Sequence, residues 1–214
     1  MKLMHVDASP KRERSSSRAL ARYFLDRLGE HMPLEIDYLD LALVPPPHVT
    51  EAFAIATYTP EENRTQAMRD ILAPSDALCR RLLAADALLF AMPMYNFSIP
   101  SAFKAFIDQI VRTNVTYKVG PDGRYVGQLA RQKTLFITTR GADLRPGAAF
   151  ESYDALTPSL SAAFGFIGVA NPWFVDAQPL QFADQEARDA ALRRARTELD
   201  SVASAWANEE SVAA

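Results

Sequence analysis

The sequence predicts an α/β fold in which a five-stranded parallel sheet lies between two layers of helices. Five short apolar segments alternate with stretches of helical periodicity, which is typical of a parallel sheet covered on both faces. Five strands also favour the strand order 2-1-3-4-5 over a six-stranded dinucleotide-binding order. The 214 residues fit one domain spanning residues 1–214, without repeats or linkers.

The strands are identified by apolar runs and by alternation of apolar and polar residues. We predict them at residues 3–6, 34–39, 86–91, 133–138 and 168–175. Apolar residues at helical spacing predict helices at 17–29, 60–72, 75–85, 101–113, 154–166 and 184–207. Pro74 is expected to break or kink the second of these. The long connection 40–60 should contain a short helix at 51–57, and residues 116–126 should form a hairpin.

Composition excludes several classes of function. The net charge of −3 argues against a nucleic-acid-binding face. The single cysteine, Cys79, excludes an internal disulfide and is expected to be a small core residue. The three histidines have no metal-ligand spacing, so we expect no metal. No apolar run reaches 18 residues and no signal peptide is visible, so we expect a cytoplasmic protein without a membrane span.

The loop after the first strand is suited to a phosphate, because it leads into the N-terminus of a helix. Four serines offer hydroxyl donors: Ser9, Ser15, Ser16 and Ser17. Four basic residues are expected to raise the local positive field: Lys11, Arg12, Arg14 and Arg18. The alternative is an ordinary serine N-cap beside solvated basic side chains.

The loop after the third strand is suited to a flavin ring. Met94, Tyr95 and Phe97 offer apolar and aromatic surface, and Asn96 and Phe97 offer donors for the edge where a reduced flavin gathers negative charge. The alternative is an aromatic-rich turn that packs on the core.

A third loop, after the fourth strand, contains Thr139, Arg140, Gly141 and Ala142. Gly141 would allow a close approach of the backbone. All three loops follow parallel strands, and open α/β sheets bind ligands at the carboxyl ends of their strands. The sequence therefore predicts one site built from three loops.

These segments resemble the FMN-dependent NADH:azoreductases, also called FMN-dependent NADH:quinone oxidoreductases, of the flavodoxin-like superfamily. The resemblance rests most on residues 93–101, followed by Lys104, Asp108 and Arg112, whose spacing also predicts pairing along the outer side of their helix. Ser9 with residues 15–17 matches the phosphate loop of the family, and residues 164–168 match a segment before the last strand. Thr139 and Ala142 depart from the usual Ser-Arg-Gly-Gly of the third loop.

The resemblance implies non-covalent FMN, held at its phosphate by the serines, at its ring by residues 94–97 and along the far side of the ring by residues 139–142. It implies a homodimer that passes two electrons from NADH or NADPH to quinones and azo compounds by a ping-pong mechanism, with no protein general acid or base. The sequence does not choose NADH over NADPH: Arg12, Arg14 and Arg140 could each meet the 2′-phosphate of NADPH, and none is placed well enough to decide. An electron carrier of the flavodoxin type and a flavin-free interaction protein remain as alternatives.

Overall fold

The computed structural model describes residues 1–213, with side chains through residue 209. Its seven strands are β1 (Lys2–Asp7), β2 (Glu35–Asp40), β3 (Ala87–Pro93), β4 (Tyr117–Val119), β5 (Tyr125–Gly127), β6 (Lys133–Thr139) and β7 (Trp173–Ala177). Five of them form a parallel sheet in the order β2-β1-β3-β6-β7. Strands β4 and β5 form the separate antiparallel hairpin. The predicted order 2-1-3-4-5 is confirmed, because β6 and β7 are the fourth and fifth strands of the sheet.

The described residues contain six α-helices: α1 (Ser16–Gly29), α2 (Glu51–Tyr58), α3 (Gln66–Ala84), α4 (Ser101–Ile110), α5 (Leu156–Phe166) and α6 (Gln185–Ala213). Helices α1 and α6 pack together on one face of the sheet, around Phe24 and Trp206, whose rings meet edge to face at 5.3 Å. Helices α3, α4 and α5 cover the other face. There Phe90 of β3 contacts Phe136 and Phe164 at centroid distances of 5.1 and 4.8 Å.

Helix α3 differs from its prediction. A short 3₁₀ turn occupies Glu61–Asn63, and the helix begins at Gln66, where the hydroxyl of Thr65 accepts a hydrogen bond from the amide of Met68. The helix then continues through Pro74 to Ala84 as one element. The face that carries Leu72 and Leu82 is buried, and this packing outweighs the cost of a proline inside a helix.

Arg112 is also placed differently from its prediction. Lys104 pairs with Asp108 as expected, but α4 ends at Ile110 and the backbone then turns the Arg112 side chain inward. Arg112 is 1% exposed; its guanidinium lies 3.1 Å from the carboxylate of Asp76 and over the ring of Phe53 at 5.7 Å. Arg112 therefore ties α2 and α3 to the end of α4.

The last strand of the sheet begins later than predicted, at Trp173. Helix α5 is terminated by Gly168, whose φ of +114° favours glycine, and the amide of Val169 donates to the carbonyl of Phe164. Pro172 then limits hydrogen bonding just before the strand.

Cys79 is fully buried, and burial raises the pKa of its thiol to about 11, in agreement with a core role. Among the described helices, none has a stretch apolar and long enough to cross a bilayer.

The hairpin is anchored to the end of α5 by a close contact between two glycines. A Cβ atom added to Gly127 would lie 2.1 Å from the amide nitrogen of Gly168. The amide of Leu129 donates to the carbonyl of Ile167 beside this contact. Since the obstructing atoms are backbone, the two segments cannot make room by rotating a side chain.

We predict that Gly127→Ala lowers the free energy of unfolding by about 1–3 kcal/mol, the usual cost of overpacking. Gly165→Ala in α5 is the matched control, because nothing lies within 4 Å of its added Cβ. That control should leave stability unchanged or raise it by up to about 1 kcal/mol. Chemical denaturation measures both variants; equal stabilities would contradict the proposed anchor.

Candidate functional site

A cleft of about 510 Å³ opens where β1, β3 and β6 end. The three predicted loops meet in this cleft. Eleven of the twelve predicted site residues line it: Ser9, Ser15, Ser16, Met94, Tyr95, Asn96, Phe97, Thr139, Arg140, Gly141 and Ala142. Ser17 does not line the cleft; it is fully buried behind it, with its hydroxyl 3.1 Å from that of Ser15.

One end of the cleft is formed by the N-terminus of α1. Ser15 is the N-cap residue, and its hydroxyl accepts a hydrogen bond from the amide of Arg18. The first amides of a helix have no partners within the helix and carry the positive end of its dipole. Ser16, at the first position of α1, lines the cleft with Ser9 and Ser15. The arrangement offers amide and hydroxyl donors to an anion.

Arg18 fixes the shape of this loop from behind. Its Nε and Nη2 atoms both donate to the carbonyl of Ser9, at 3.0 and 2.7 Å. Nη2 and Nη1 also donate to the two oxygens of Asp40, at 2.6 and 2.8 Å. Nη1 lies 3.3 Å from Asp7 and donates to the hydroxyl of Tyr38. The prediction that Arg18 raises the positive field is therefore wrong, because two carboxylates neutralise it.

The charges in this cluster stabilise one another. Although burial opposes ionisation, hydrogen bonds from Arg18 and from the amide of Ala42 hold the pKa of Asp40 below its usual value. Burial, reinforced by a hydrogen bond to Asp7, raises the pKa of Tyr38 to about 12. At neutral pH the cluster therefore contains a guanidinium, ionised Asp40 and a neutral phenol.

The loop after β3 forms a tight turn with an unusual backbone. The amide of Tyr95 donates to the carbonyl of Ser98, and the amide of Ser98 donates to the carbonyl of Tyr95, both at 3.0 Å. The two central residues, Asn96 and Phe97, have φ values of +47° and +68°. Asparagine tolerates this left-handed region, whereas phenylalanine is strained there. Such strain clusters at functional sites, and this turn borders the cleft.

Hydrogen bonds join the three loops to one another. The amide of Met94 donates to the carbonyl of Thr139 at 2.8 Å, which links the second loop to the third. The amide of Ala8, next to Ser9, donates to the carbonyl of Ala91 at 3.0 Å, which links the end of β1 to β3. Partial burial raises the pKa of the Tyr95 phenol. The carbonyl of Phe97 accepts from the amide of Ala155 at 3.0 Å. The cleft is thus one connected structure.

The third loop contributes its backbone rather than the charge of Arg140. The Arg140 guanidinium lies 2.7 Å from Asp154 and 3.2 Å from Asp176, and its side chain is buried. The hypothesis that Arg140 meets a 2′-phosphate is therefore wrong. Ala142 is not among the positive-φ residues of the described chain, so it causes no left-handed strain. The Gly141 backbone packs closely against the ring of Phe182, which a Cβ atom would approach to 2.9 Å.

The sequence reasoning missed one wall of the cleft. Leu180, Gln181 and Phe182, which follow β7, line it together with Leu144 and Arg188. The amides of Leu180 and Phe182 donate to the carbonyl of Gly141 at 3.1 and 3.0 Å. The sequence offered one signal for this wall, a proline-containing segment directly after the last strand. Since loops at the carboxyl edge of a parallel sheet bind ligands, that segment could have been added to the predicted site.

The charge of the cleft is one-sided. Its lining includes Lys11, Arg14 and Arg188, and no acidic residue occurs among the described residues that line it. Next to the 94–98 turn, the rings of Phe97 and Tyr153 lie 5.1 Å apart, with 44% and 53% of each residue exposed. The arrangement can accept an anionic group at the helix N-terminus and a flat ring beside the turn.

Comparison with known proteins gives an independent result. A family model described as having a flavodoxin-like fold matches residues 1–202. FMN-dependent NADH:quinone oxidoreductase 1 of Trichormus variabilis is 40% identical over 207 residues, covering 96% of this chain and 97% of that protein. FMN-dependent NAD(P)H:quinone oxidoreductase 1 of Pseudomonas aeruginosa is 41% identical over 174 residues, covering 78% and 82%.

Solved structures share the fold. An azoreductase from Bacillus anthracis superposes with a TM-score of 0.85 at 24% identity, covering 95% of this chain and 98% of that one. An FMN-dependent NADH-azoreductase of the same species, solved in complex with FMN, also gives 0.85, at 22% identity, with coverage of 97% and 100%. By its family match and its curated relatives, the chain belongs to the flavodoxin-like family of FMN-dependent NADH:quinone oxidoreductases.

Proposed function

We propose that this protein is an FMN-dependent oxidoreductase that passes two electrons from NADH or NADPH to quinones and azo compounds. One observation carries the proposal: a helix N-terminus with hydroxyl donors and a strained left-handed turn border the same cleft, which has no acidic lining among its described residues. The curated relatives, named as FMN-dependent quinone oxidoreductases, support it.

The cleft fits FMN at both ends. A phosphate monoester dianion matches the α1 N-terminus, where Ser9, Ser15 and Ser16 supply donors and Lys11 and Arg14 supply positive charge. The isoalloxazine ring matches the space between residues 94–97 and residues 139–142. A volume of about 510 Å³ lies within the range of cofactor sites.

The protein residues position and tune the cofactor. When bound, FMN supplies the redox chemistry, accepting two electrons from the nicotinamide and giving them to the acceptor in a ping-pong sequence. The amides of Asn96 and Phe97 are held in a left-handed turn by the reciprocal hydrogen bonds of Tyr95 and Ser98. Donors fixed in this way stabilise negative charge without reorganising, so the turn favours an electron-rich ring edge.

Flat acceptors suit the mouth of the cleft. Phe97, Tyr153 and Phe150 form a row of exposed rings, with centroid distances of 5.1 and 6.0 Å. Aromatic rings bind other flat rings by offset or edge contacts. Quinones and azo compounds have such rings, which supports them as acceptors.

We also propose a homodimer, as the family resemblance implies. The hairpin and α5 expose neighbouring apolar side chains: Val119, Tyr125, Val126 and Phe166. Contiguous apolar surface of this kind is common at protein interfaces. Sedimentation analysis measures the mass in solution, and a stable single chain at enzyme concentrations would contradict the dimer.

The function predicts that the FMN-loaded protein oxidises NADH or NADPH continuously when a quinone or azo acceptor is supplied, but only about one equivalent per bound FMN without an acceptor. FMN-free protein should oxidise neither nicotinamide. Anaerobic steady-state assays with and without added FMN measure this. A flavodoxin-type carrier would bind FMN without rapid reduction by either nicotinamide, and a flavin-free protein would not quench FMN fluorescence. Either result would contradict the proposal.

Asn96 variants separate the backbone of the turn from its amide side chain. Asn96→Ala should weaken FMN binding at least tenfold, because alanine costs about 1–2 kcal/mol in the left-handed region and the side chain is also lost. Asn96→Gly keeps that backbone readily accessible and should weaken binding less. Fluorescence titration measures both affinities. Wild-type affinity in Asn96→Ala would remove this turn from the site.

A further inference from the structure

A basic groove adjoins the cleft at its phosphate end and extends beyond the residues assigned to FMN. We define the basic groove by its lining residues: Lys11, Arg12, Glu13, Arg14, Arg18, Arg22 and Asp40. Its volume is about 630 Å³. Lys11 and Arg14 line both the basic groove and the cleft, so the two are continuous.

The charges of the basic groove are unbalanced. Arg18 is neutralised by Asp40 and Asp7, as described above. Among the described residues, the only other carboxylate that lines the basic groove is that of Glu13. Four exposed cations line it as well: Lys11, Arg12, Arg14 and Arg22. Within the part of the chain whose side chains are described, none of these four forms an ion pair. In the FMN-loaded protein the phosphate of FMN would balance Lys11 and Arg14, which leaves Arg12 and Arg22 to attract a second anion.

The backbone that carries these cations is ordered. The amide of Arg14 donates to the carbonyl of Lys11, and that of Ser15 donates to the carbonyl of Arg12, both at 3.1 Å. Arg12 has a φ of +49°, a conformation that non-glycine residues rarely adopt. Arg22 lies one helical turn beyond Arg18 on α1, so it is on the same side of the helix. The cations are therefore gathered by the fold, not scattered on a mobile chain.

The carboxylate of Asp40 is not available to a ribose hydroxyl. One of its oxygens accepts from Arg18 and from the amide of Ala42, and the other accepts from Arg18 and from the hydroxyl of Tyr38. In Rossmann-type dinucleotide sites a free carboxylate accepts from the 2′-hydroxyl of NADH, whereas an arginine accommodates the 2′-phosphate of NADPH, and the same chemistry can operate wherever this ribose is bound. The basic groove offers arginines and no free Asp40 carboxylate, so it resembles a site for the 2′-phosphate of NADPH.

We propose that the basic groove binds the 2′-phosphate of NADPH, so that this protein prefers NADPH to NADH. The proposal rests on the proposed function, because it takes the nicotinamide to enter the adjoining cleft. Guanidinium groups bind phosphate oxygens through paired, charge-assisted hydrogen bonds. Arg12 and Arg22, which line the basic groove and not the cleft, are the residues that would distinguish the two dinucleotides.

Calorimetric titration of the FMN-loaded protein with 2′,5′-ADP and with 5′-ADP tests this binding without any turnover. We expect 2′,5′-ADP to bind at least tenfold more tightly. Arg12→Gln and Arg22→Gln should each weaken 2′,5′-ADP about tenfold, the loss of one charge-assisted hydrogen bond, and change 5′-ADP less than twofold. Arg80→Gln is the matched control, because it removes one positive charge from an exposed position on α3. It should alter the affinity for neither nucleotide.

Kinetics provide the second readout. The ratio of kcat/KM for NADPH to that for NADH should exceed one and fall about tenfold in Arg12→Gln and in Arg22→Gln, mostly through KM for NADPH. Equal binding of the two nucleotides, or a preference that both variants retain, would overturn the proposal. It would also be overturned if the variants weakened the binding of FMN rather than that of 2′,5′-ADP. Selective 2′,5′-ADP binding without reduction by either nicotinamide would support the groove and refute the proposed function.

Discussion

The guanidinium of Arg18 is the interaction on which the site depends. It joins the ends of β1 and β2, through Asp7 and Asp40, to the first turn of α1, and it holds the carbonyl of Ser9 with two nitrogens. Removing one partner of such a buried ion pair typically costs about 3–5 kcal/mol. The loop that presents serine hydroxyls to the cleft is therefore fixed before any ligand arrives. Because the loop is already ordered, the free energy of phosphate binding is not reduced by the entropic cost of ordering the chain.

The rest of the site extends this rigidity across the sheet edge. The amide of Ala8 donates to the carbonyl of Ala91, and that of Met94 donates to the carbonyl of Thr139, so each loop is attached to its neighbour. The left-handed pair Asn96 and Phe97 persists because surrounding hydrogen bonds hold it. The protein thus keeps a strained turn at the edge of the cleft, and the packed sheet around it sustains that local strain.

The sequence was sufficient for the features that local pattern controls. Apolar runs predicted the strands of the sheet, helical spacing predicted the buried stripe of Leu20, Phe24 and Leu28, and the serine before it predicted the N-cap. Parallel order then brought three loops to one edge. Eleven predicted residues meet there because that rule follows from topology, not from details of side chains.

Features that depend on residues distant along the chain could not be predicted from the sequence. Arg18 and Arg140 looked like free cations, yet each is neutralised by carboxylates from other parts of the chain. Arg112 looked like an exposed helix residue, but α4 ends two residues before it. Pro74 is accepted inside α3 because tertiary burial outweighs propensity. In each case the deciding contact joins residues distant along the chain, so no local pattern could show it.

The central claim is that the α1 N-terminus, preset by Arg18, binds the phosphate of FMN. The most direct measurement compares FMN with riboflavin, which lacks only the phosphate, by fluorescence titration of the flavin-free protein. Two charge-assisted hydrogen bonds predict that FMN binds on the order of 100-fold more tightly. Equal affinities for the two flavins, or no binding of either, would contradict the account.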